Sequence, residues 1–427
     1  MPPAWLAWSV WGIAAAFYLA AFYLRVSPAV MTTELMRDFG ITASQLGTFS
    51  AVYFYAYVLM QVPTGVMVDS WGARRVLIAG TVAAAFGTFV FGSAQSYVLA
   101  SVGRAIVGAA TAVAWVITLK LATHWFSPRR FAMLSGLGLC IGNIGALFAQ
   151  VPLRMLVERF DWRTVALISA GAILVLAVLA WAFVRTDPTE AGYDTYAPAE
   201  LQRKATNDVT WAERFAGFRR IFGYRNVWLI FLAQGGFVGA VLSFTGLWGP
   251  PFLRARFGLD PRTAAAVCSV MIVCWAIASP LFGMWSDRIG RRKPLYLGGA
   301  AVASIGWMIL FYLPGLGLPA FIAIAAVTSF AAGAVILGFA YTKESVPVRF
   351  LATVSGAINM GNMIGPTVLQ PAIGWMLDTH WSGQMANGLR VYRAEDYQAG
   401  FLLIVIWSVL TVVLISLTRE TSCRQTA

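Results

Sequence analysis

Long apolar runs recur along the chain at near-regular intervals, each closed by a short polar break. A helical span of a bilayer needs about 20 apolar residues. Twelve runs qualify: roughly 7–29, 44–67, 75–94, 97–122, 131–153, 163–184, 226–253, 262–285, 294–313, 319–341, 351–377 and 398–418. Little more than Gln95 and Ser96 parts the third from the fourth. The one long polar stretch, 185–225, carries seven basic and six acidic residues with Pro188 and Pro198. The pattern predicts an all-α integral membrane protein with twelve transmembrane helices in two six-helix bundles, 1–184 and 226–427, joined by a cytoplasmic linker at 185–225. Inside the linker, Trp211, Phe215, Phe218 and Phe222 recur at helical spacing, with Arg214, Arg219 and Arg220 on other faces. That spacing fits an amphipathic helix lying along the inner membrane surface, with a solvated loop as the alternative.

The two halves repeat each other. Gly65-x-x-x-Asp69-x-x-Gly72-x-Arg74-Arg75 returns 218 residues later as Gly283-x-x-x-Asp287-Arg288-x-Gly290-Arg291-Arg292-Lys293. A second landmark, Arg130-Phe131 leading to Ser135-Gly136, Gly142-Asn143 and Gly145, returns as Arg349-Phe350, Ser355-Gly356, Gly361-Asn362 and Gly365. Two landmarks at almost one offset read as an internal duplication, and duplicated membrane bundles of this size move solutes.

Composition agrees. The chain of 427 residues is 59% hydrophobic and 11% charged, where a soluble domain carries about 25% charge. The net charge of +13 would raise nucleic acid as a partner in a soluble protein, but its distribution argues otherwise. With both termini inside, 19 Lys and Arg fall in cytoplasmic segments and 9 in external ones. That is the positive-inside bias, and it predicts a lipid bilayer rather than a nucleic acid around the molecule. No Lys or Arg precedes Trp5, so the first run reads as a retained span rather than a cleaved signal. Cys140, Cys268 and Cys274 fall in spans and Cys423 in the tail, with no metal-ligand spacing. No metal, cofactor or catalytic residue is expected.

Charge inside the spans narrows the chemistry. All 18 acidic residues fall in loops or at span ends, Glu344 being the nearest case, and His124 and His380 also fall outside the spans. Three cations remain inside: Arg25, Arg104 and Lys120. A buried cation is expensive and normally faces a cavity with a function. Arg25 and Arg104 lie on antiparallel spans, both roughly 10 Å outward of the midplane at about 1.5 Å per residue. Two arginines without a membrane carboxylate form an anion site, since the guanidinium fork matches carboxylate, sulfonate or phosphate oxygens. The alternatives are that Arg25 reaches out to the lipid interface and that Arg104 caps backbone carbonyls; Lys120 lies near the inner end of its span, where reaching water is easy. Tyr18, Tyr53, Gln150, Gln234, Tyr341 and Gln370 are further polar span residues, for which helix-packing hydrogen bonds are the commoner explanation.

The duplicated Gly-x-x-x-Asp-x-x-Gly-x-Arg-Arg loop resembles the signature of the major facilitator superfamily, over the whole chain. The resemblance implies two six-helix bundles around a cavity that opens alternately to either side. It also implies a gating latch made of Asp69, Arg74, Arg75, Asp287, Arg291 and Arg292. Tyr23-Leu24-Arg25-Val26-Ser27, Asp38-Phe39-Gly40-Ile41, Gln45-Leu46-Gly47, Tyr57, Gln61, Pro63 and Trp125-Phe126 resemble the anion:cation symporter branch, which carries sugar acids, carboxylates and sulfonates. From that branch Arg25, Arg104, Tyr57, Asn359 and Asn362 are expected to bind substrate. Leu24 and Thr111 stand where the branch often has proton-carrying carboxylates, so the coupling ion is open. Residues from Ser27 to Met36 also resemble a bacterial subgroup linked to amino-acid uptake.

The expected function is secondary active transport of a small organic anion, of the carboxylate or sulfoacetate kind, across a bacterial inner membrane by a monomer. The alternatives are an amino-acid or peptide carrier of the same fold, and a drug exporter. Exporters of lipophilic cations tend to carry cavity carboxylates, which the spans lack. An enzyme is not expected, for no nucleotide loop, metal cluster or nucleophile–base pair appears.

Overall fold

The computed structural model describes residues 1–197, 218–347, 350–386 and 388–426. Trp211, Arg214 and Phe215 of the expected amphipathic segment, and Arg349 of the second landmark, lie outside the described residues.

The described chain is helical apart from one short hairpin, Met385–Ala386 with Leu389–Arg390. The first half gives α1 (Ala4–Val26), α2 (Thr32–Phe39), α3 (Ala43–Ser70), α4 (Ala73–Ser93), α5 (Tyr97–Thr111), α6 (Ala114–Trp125), α7 (Phe131–Phe148), α8 (Val151–Phe160) and α9 (Trp162–Phe183). The second gives α10 (Arg225–Ser243), α11 (Gly249–Phe257), α12 (Pro261–Ile289), α13 (Lys293–Tyr312), α14 (Leu318–Ala332), α15 (Leu337–Glu344), α16 (Leu351–Thr379) and α17 (Ala394–Ser416). Among the described residues, ten helices are long and apolar enough to cross a membrane, and the bent pair Ala43–Gln61 with Pro63–Ser70 makes eleven. The eleventh expected run, 351–377, is occupied by the 29-residue α16 with Pro366 and Pro371 inside it.

The second, fourth and tenth runs are interrupted, the second at a proline. α3 bends by 53° at Pro63, which supplies no amide to the helix ladder and crowds the preceding turn. The fourth run breaks between α5 and α6, and the tenth breaks at the 3-10 turn Gly333–Ile336 between α14 and α15. Both motif loops turn on a glycine with positive φ, Gly72 at 81° and Gly290 at 70°, a conformation that a Cβ would strain.

By backbone contacts the described chain forms two compact units. One holds Met1–Ser27 and the chain from Val52 up to the linker; the other holds Pro28–Ala51 and everything after the linker. The packing of Pro28–Ala51 therefore differs from a simple division at 184. In the first unit α1 packs on α6, α7 and α9, and α4 packs on α5 and α9. Gly145 lets α7 approach the Leu19 carbonyl of α1, where a Cβ would collide. In the second unit α10 and α16 cross through Gly235 and Gly239 on one helix and Gly361 and Gly365 on the other. A Cβ on Gly239 would sit 2.7 Å from Gly365 Cα, and one on Gly365 would strike the Gly235 carbonyl. Small residues four apart on both helices are how apolar helices gain close contact in lipid, where burial alone gives no drive to associate. Exposed Leu174, Val175, Val178 and Trp181 form an apolar outer stripe on α9, as expected of a lipid-facing surface.

The start of α3, up to Ala51, packs on α16 inside the second unit. Gly47 faces Gln370 and Pro371, and Gly374 faces Ala43, all backbone to backbone. The start of α3 is held by Asp378, which accepts a hydrogen bond from the Ser44 amide at 2.8 Å. Asp378 also accepts from the Tyr392 hydroxyl at 2.5 Å and pairs with Arg390 at 3.1 Å. The Tyr392 oxygen accepts the Ala43 amide at 3.2 Å. Two of the free N–H groups at the helix start are thereby satisfied, with a negative group at its positive end.

Candidate functional site

Three helices of the first unit build the polar centre. Arg25 lies in the last turn of α1 and is 5% exposed. Tyr53 and Tyr57 are four apart on α3 and so share a face; their rings stack with centroids 6.1 Å apart. Arg104, Gly108 and Thr111 fall at positions i, i+4 and i+7 of α5, again one face. Gly108 decides the geometry, because a Cβ there would collide with the Tyr53 carbonyl. The absent side chain allows α5 to rest on α3, within reach of the Tyr53 ring.

Arg25 is wrapped in aromatics. Its guanidinium carbon lies 4.4 Å from the Phe22 ring centroid, 5.0 Å from that of Tyr57 and 5.8 Å from that of Tyr53. Such contacts compensate part of the lost hydration of a buried cation. Its Nε donates to the Tyr53 hydroxyl at 3.4 Å. Among the described residues, neither Nη group of Arg25 has a hydrogen-bond partner, and no carboxylate stands within ion-pair distance of it.

Arg104 is placed differently. It is 2% exposed and sends Nη1 to the Leu24 carbonyl at 2.6 Å and Nη2 to the Arg25 carbonyl at 3.5 Å. Its guanidinium also lies 5.0 Å from the Tyr53 ring centroid. A cation at the carbonyl end of α1 opposes the negative pole of that helix and fixes the turn that carries Arg25. Arg25, Tyr57 and Arg104 thus come together in the first unit. Asn359 and Asn362 belong to α16 in the second unit, where Asn362 is buried and its Oδ1 has no hydrogen-bond partner among the described residues. Tyr18 packs against Trp115 and Phe22 beside the first group. Gln234 accepts from Tyr296, and Gln370 donates to the Leu242 carbonyl, both inside the second unit.

The two motif loops are tied by different partners. In the first, Asp69 pairs with Lys120 at 3.2 Å, and Lys120 also donates to the Val68 carbonyl. Arg74 bonds through its amide to Thr186 and through its side chain to the Trp181 carbonyl, while Arg75 is exposed. In the second, Arg292 is the hub. It pairs with Asp287 at 2.6 Å and Glu344 at 2.8 Å, and its amide donates to Glu420. Arg291 is exposed, and its carbonyl accepts from Ser286. The chain after α17 continues the clamp. Thr421 donates to Glu344, and the Lys293 amide donates to Glu420. Burial pushes the Glu420 carboxyl upward, but the amides of Arg292, Ser422, Lys293 and Thr421 outweigh this and hold it below the usual range. With a depressed folded value, this contribution is present above the ordinary glutamate pKa and is lost as pH falls through the folded one.

Glu344 and Arg292 are 14% and 10% exposed at the side chain, whereas Asp287 is 68% exposed. Glu344→Gln is therefore expected to cost about 1.5–3 kcal/mol, the range for hydrogen bonds to charged groups. Asp287→Asn should cost less than about 1 kcal/mol, as exposed pairs do. Thermal unfolding of the purified variants compares them, and equal losses would contradict the assignment of Glu344 as the main partner. Glu344 is the acidic residue nearest a span, and its partner lies 52 residues upstream, beyond any local pattern. Glu420 and Thr186 are the other ties that the sequence pattern does not disclose, because they sit at unequal distances from their motif loops.

A family model described as Major Facilitator Superfamily matches residues 10–275 and 237–425. A putative tartrate transporter of Agrobacterium vitis is 26% identical over 420 residues, covering 93% of this chain and 87% of that protein. A probable sulfoacetate transporter of Cupriavidus necator is 25% identical over 299 residues, 69% of this chain and 68% of that one. Among solved structures, a bacterial homolog of the human lysosomal transporter Spinster superposes with a TM-score of 0.77 at 17% identity, covering 99% of this chain and 98% of that one.

Proposed function

The chain belongs to the Major Facilitator Superfamily, and from that premise we propose that it is a secondary active transporter of a small organic anion, a carboxylate or sulfonate of the tartrate or sulfoacetate kind. It works by alternating access in a bacterial inner membrane, with both termini in the cytoplasm. Relatives and fold are those of membrane transporters rather than enzymes. The observation that carries the anion reading is Arg25: a buried cation without a carboxylate, whose Nη groups are unoccupied among the described residues. A group placed so at the cost of its hydration is stabilised when an anion arrives. Tyr57 lines the same cation, and Arg104 adds positive potential beside it.

The test is binding followed by flux. A panel of tartrate, sulfoacetate and glucarate, with glycine as zwitterion, is screened by thermal shift on purified protein. A true ligand at about 100 times its dissociation constant adds roughly 2.7 kcal/mol of apparent stability. Proteoliposomes are then loaded with a pH gradient, a sodium gradient or a membrane potential, each alone. No Asp, Glu or His lies deep in a predicted span, so the coupling proton or sodium is expected to travel with the substrate anion. A response to glycine and to none of the anions would overturn the anion reading. Uphill uptake of a permanently ionised sulfonate that carries no carboxylate, driven by the pH gradient alone, would require a protein proton site.

A further inference from the structure

Resting on the reading of Arg25 as the anion-binding residue, we infer that Tyr53 and Thr111 are positioning residues that commit one edge of the Arg25 guanidinium, so that the anion is taken end-on by its Nη1–Nη2 edge.

The argument is the direction of a hydrogen-bond chain. Thr111 Oγ1 stands 2.9 Å from the Val107 carbonyl oxygen, which has no proton to give, so the threonine hydroxyl donates there. Thr111 has only that proton. The 2.8 Å contact between Tyr53 Oη and Thr111 Oγ1 must then be a donation by the tyrosine. With its own proton spent, Tyr53 Oη meets Arg25 only as an acceptor of Nε–H, at 3.4 Å. The chain runs one way, from Arg25 Nε–H to Tyr53 to Thr111 to the main chain of α5. All three side chains are almost completely buried, so no water competes within the chain: Tyr53 is 0% and Thr111 2% exposed.

An arginine has two edges on which a planar oxyanion can dock with two hydrogen bonds: Nε with one Nη, and Nη1 with Nη2. The first edge is taken by Tyr53. The second is the one left unoccupied among the described residues, and its spacing matches two oxygens of one carboxylate or sulfonate group. The Phe22 and Tyr57 rings lie against the same guanidinium carbon and leave the Nη1–Nη2 edge to the anion. The benefit is preorganisation: a long, rotamer-rich side chain is held in its binding geometry before the anion arrives.

The experiment measures the dissociation constants of L-tartrate and sulfoacetate on purified protein by titration calorimetry. Immobilising one rotamer-rich side chain costs about 0.5–1.5 kcal/mol on binding, so Tyr53→Phe, which keeps the ring and removes the hydroxyl, should weaken affinity by about 2- to 12-fold. Thr111→Val should weaken it in the same direction, and Thr111→Ser, which keeps the hydroxyl, should restore it. A purely structural role for Tyr53 would weaken binding equally in any background. Positioning through Nε predicts instead that Tyr53→Phe has no further effect once Arg25→Lys has removed the guanidinium. Wild-type affinity in both Tyr53→Phe and Thr111→Val, or the same Tyr53→Phe loss in the Arg25→Lys background, overturns the inference while leaving the anion reading intact. Unchanged binding in Arg25→Ala overturns the anion reading itself. Should Tyr53→Phe not fold, the contrast between Thr111→Val and Thr111→Ser decides.

Discussion

Arg25→Ala is expected to abolish uptake of the transported anion at unchanged surface level, with binding weakened by about 30-fold or more, the lower bound for removing one member of a buried charged pair. No neighbouring group replaces it. Arg104 lies beside it, but its two Nη groups are spent on the Leu24 and Arg25 carbonyls at the end of α1. Arg25→Lys keeps the charge and loses the fork, and it should bind weakly rather than normally. The two arginines should also fail differently. Arg104→Ala removes the tie that holds the last turn of α1, so it should lower thermal stability as well as affinity. Arg25→Ala should lower affinity with little loss of stability, because it removes a buried charge without a counter-ion. Binding titrations and unfolding curves on the same preparations separate the two patterns. Normal transport kinetics in Arg25→Ala would falsify the site.

The second large effect is expected at the crossing of α10 and α16. Gly365→Val places a side chain where the Gly235 carbonyl and the Gly239 backbone already stand. Overpacking a core typically costs 1–3 kcal/mol, as a rough range, when side chains can shift. Here the obstacles are main-chain atoms of a neighbouring helix, so the helices must separate, and loss of folded protein is the expected result. Gly239→Val meets Gly365 from the other side and should behave alike. Gly171→Ala is the matched control, because a Cβ there meets nothing within 4 Å. Recovery of monodisperse protein in detergent reads the difference. Wild-type recovery of Gly365→Val would show that the crossing can relax.

What the sequence discloses follows from what is local. Hydropathy is a property of consecutive residues, so the runs that become α4, α9, α13 and α17 are visible without any partner. The motif loops are visible because the duplication repeats them. The helix breaks are visible only in part: Pro63 marks the bend of α3, whereas the 3-10 turn at Gly333–Ile336 has no comparable sign. In the polar centre, Arg25 and Arg104 stand out because charge is rare in a span. Their different surroundings do not. The partners of Arg104 are carbonyl oxygens, which every residue has, and no composition can single out Leu24 and Arg25 as the ones used. Thr111 reads from sequence as a missing carboxylate, and its part in orienting Tyr53 appears only when Gly108 has brought α5 against α3. Glu344 reads as a lone acid near a span until Arg292 and Thr421 arrive from distant positions.

The cap on α3 makes the segment after α16 a matter of chain length. Asp378 closes α16, and its partners Arg390 and Tyr392 come 12 and 14 residues later, after the chain has gone out through the hairpin and returned. The segment is a tether that must be long enough to bring those side chains back, and the described residues at its tip, among them Gly383 and Gly388 at positive φ, bear no part of the cap. Added residues at the tip would then be cheap, since doubling a flexible loop costs only about 0.6 kcal/mol in closure entropy. Removed residues would be dear, because below the minimum reach Tyr392 leaves the Ala43 amide and Asp378 faces Ser44 without its arginine. Natural variation in this segment should accordingly run toward insertion and stop abruptly on the side of shortening.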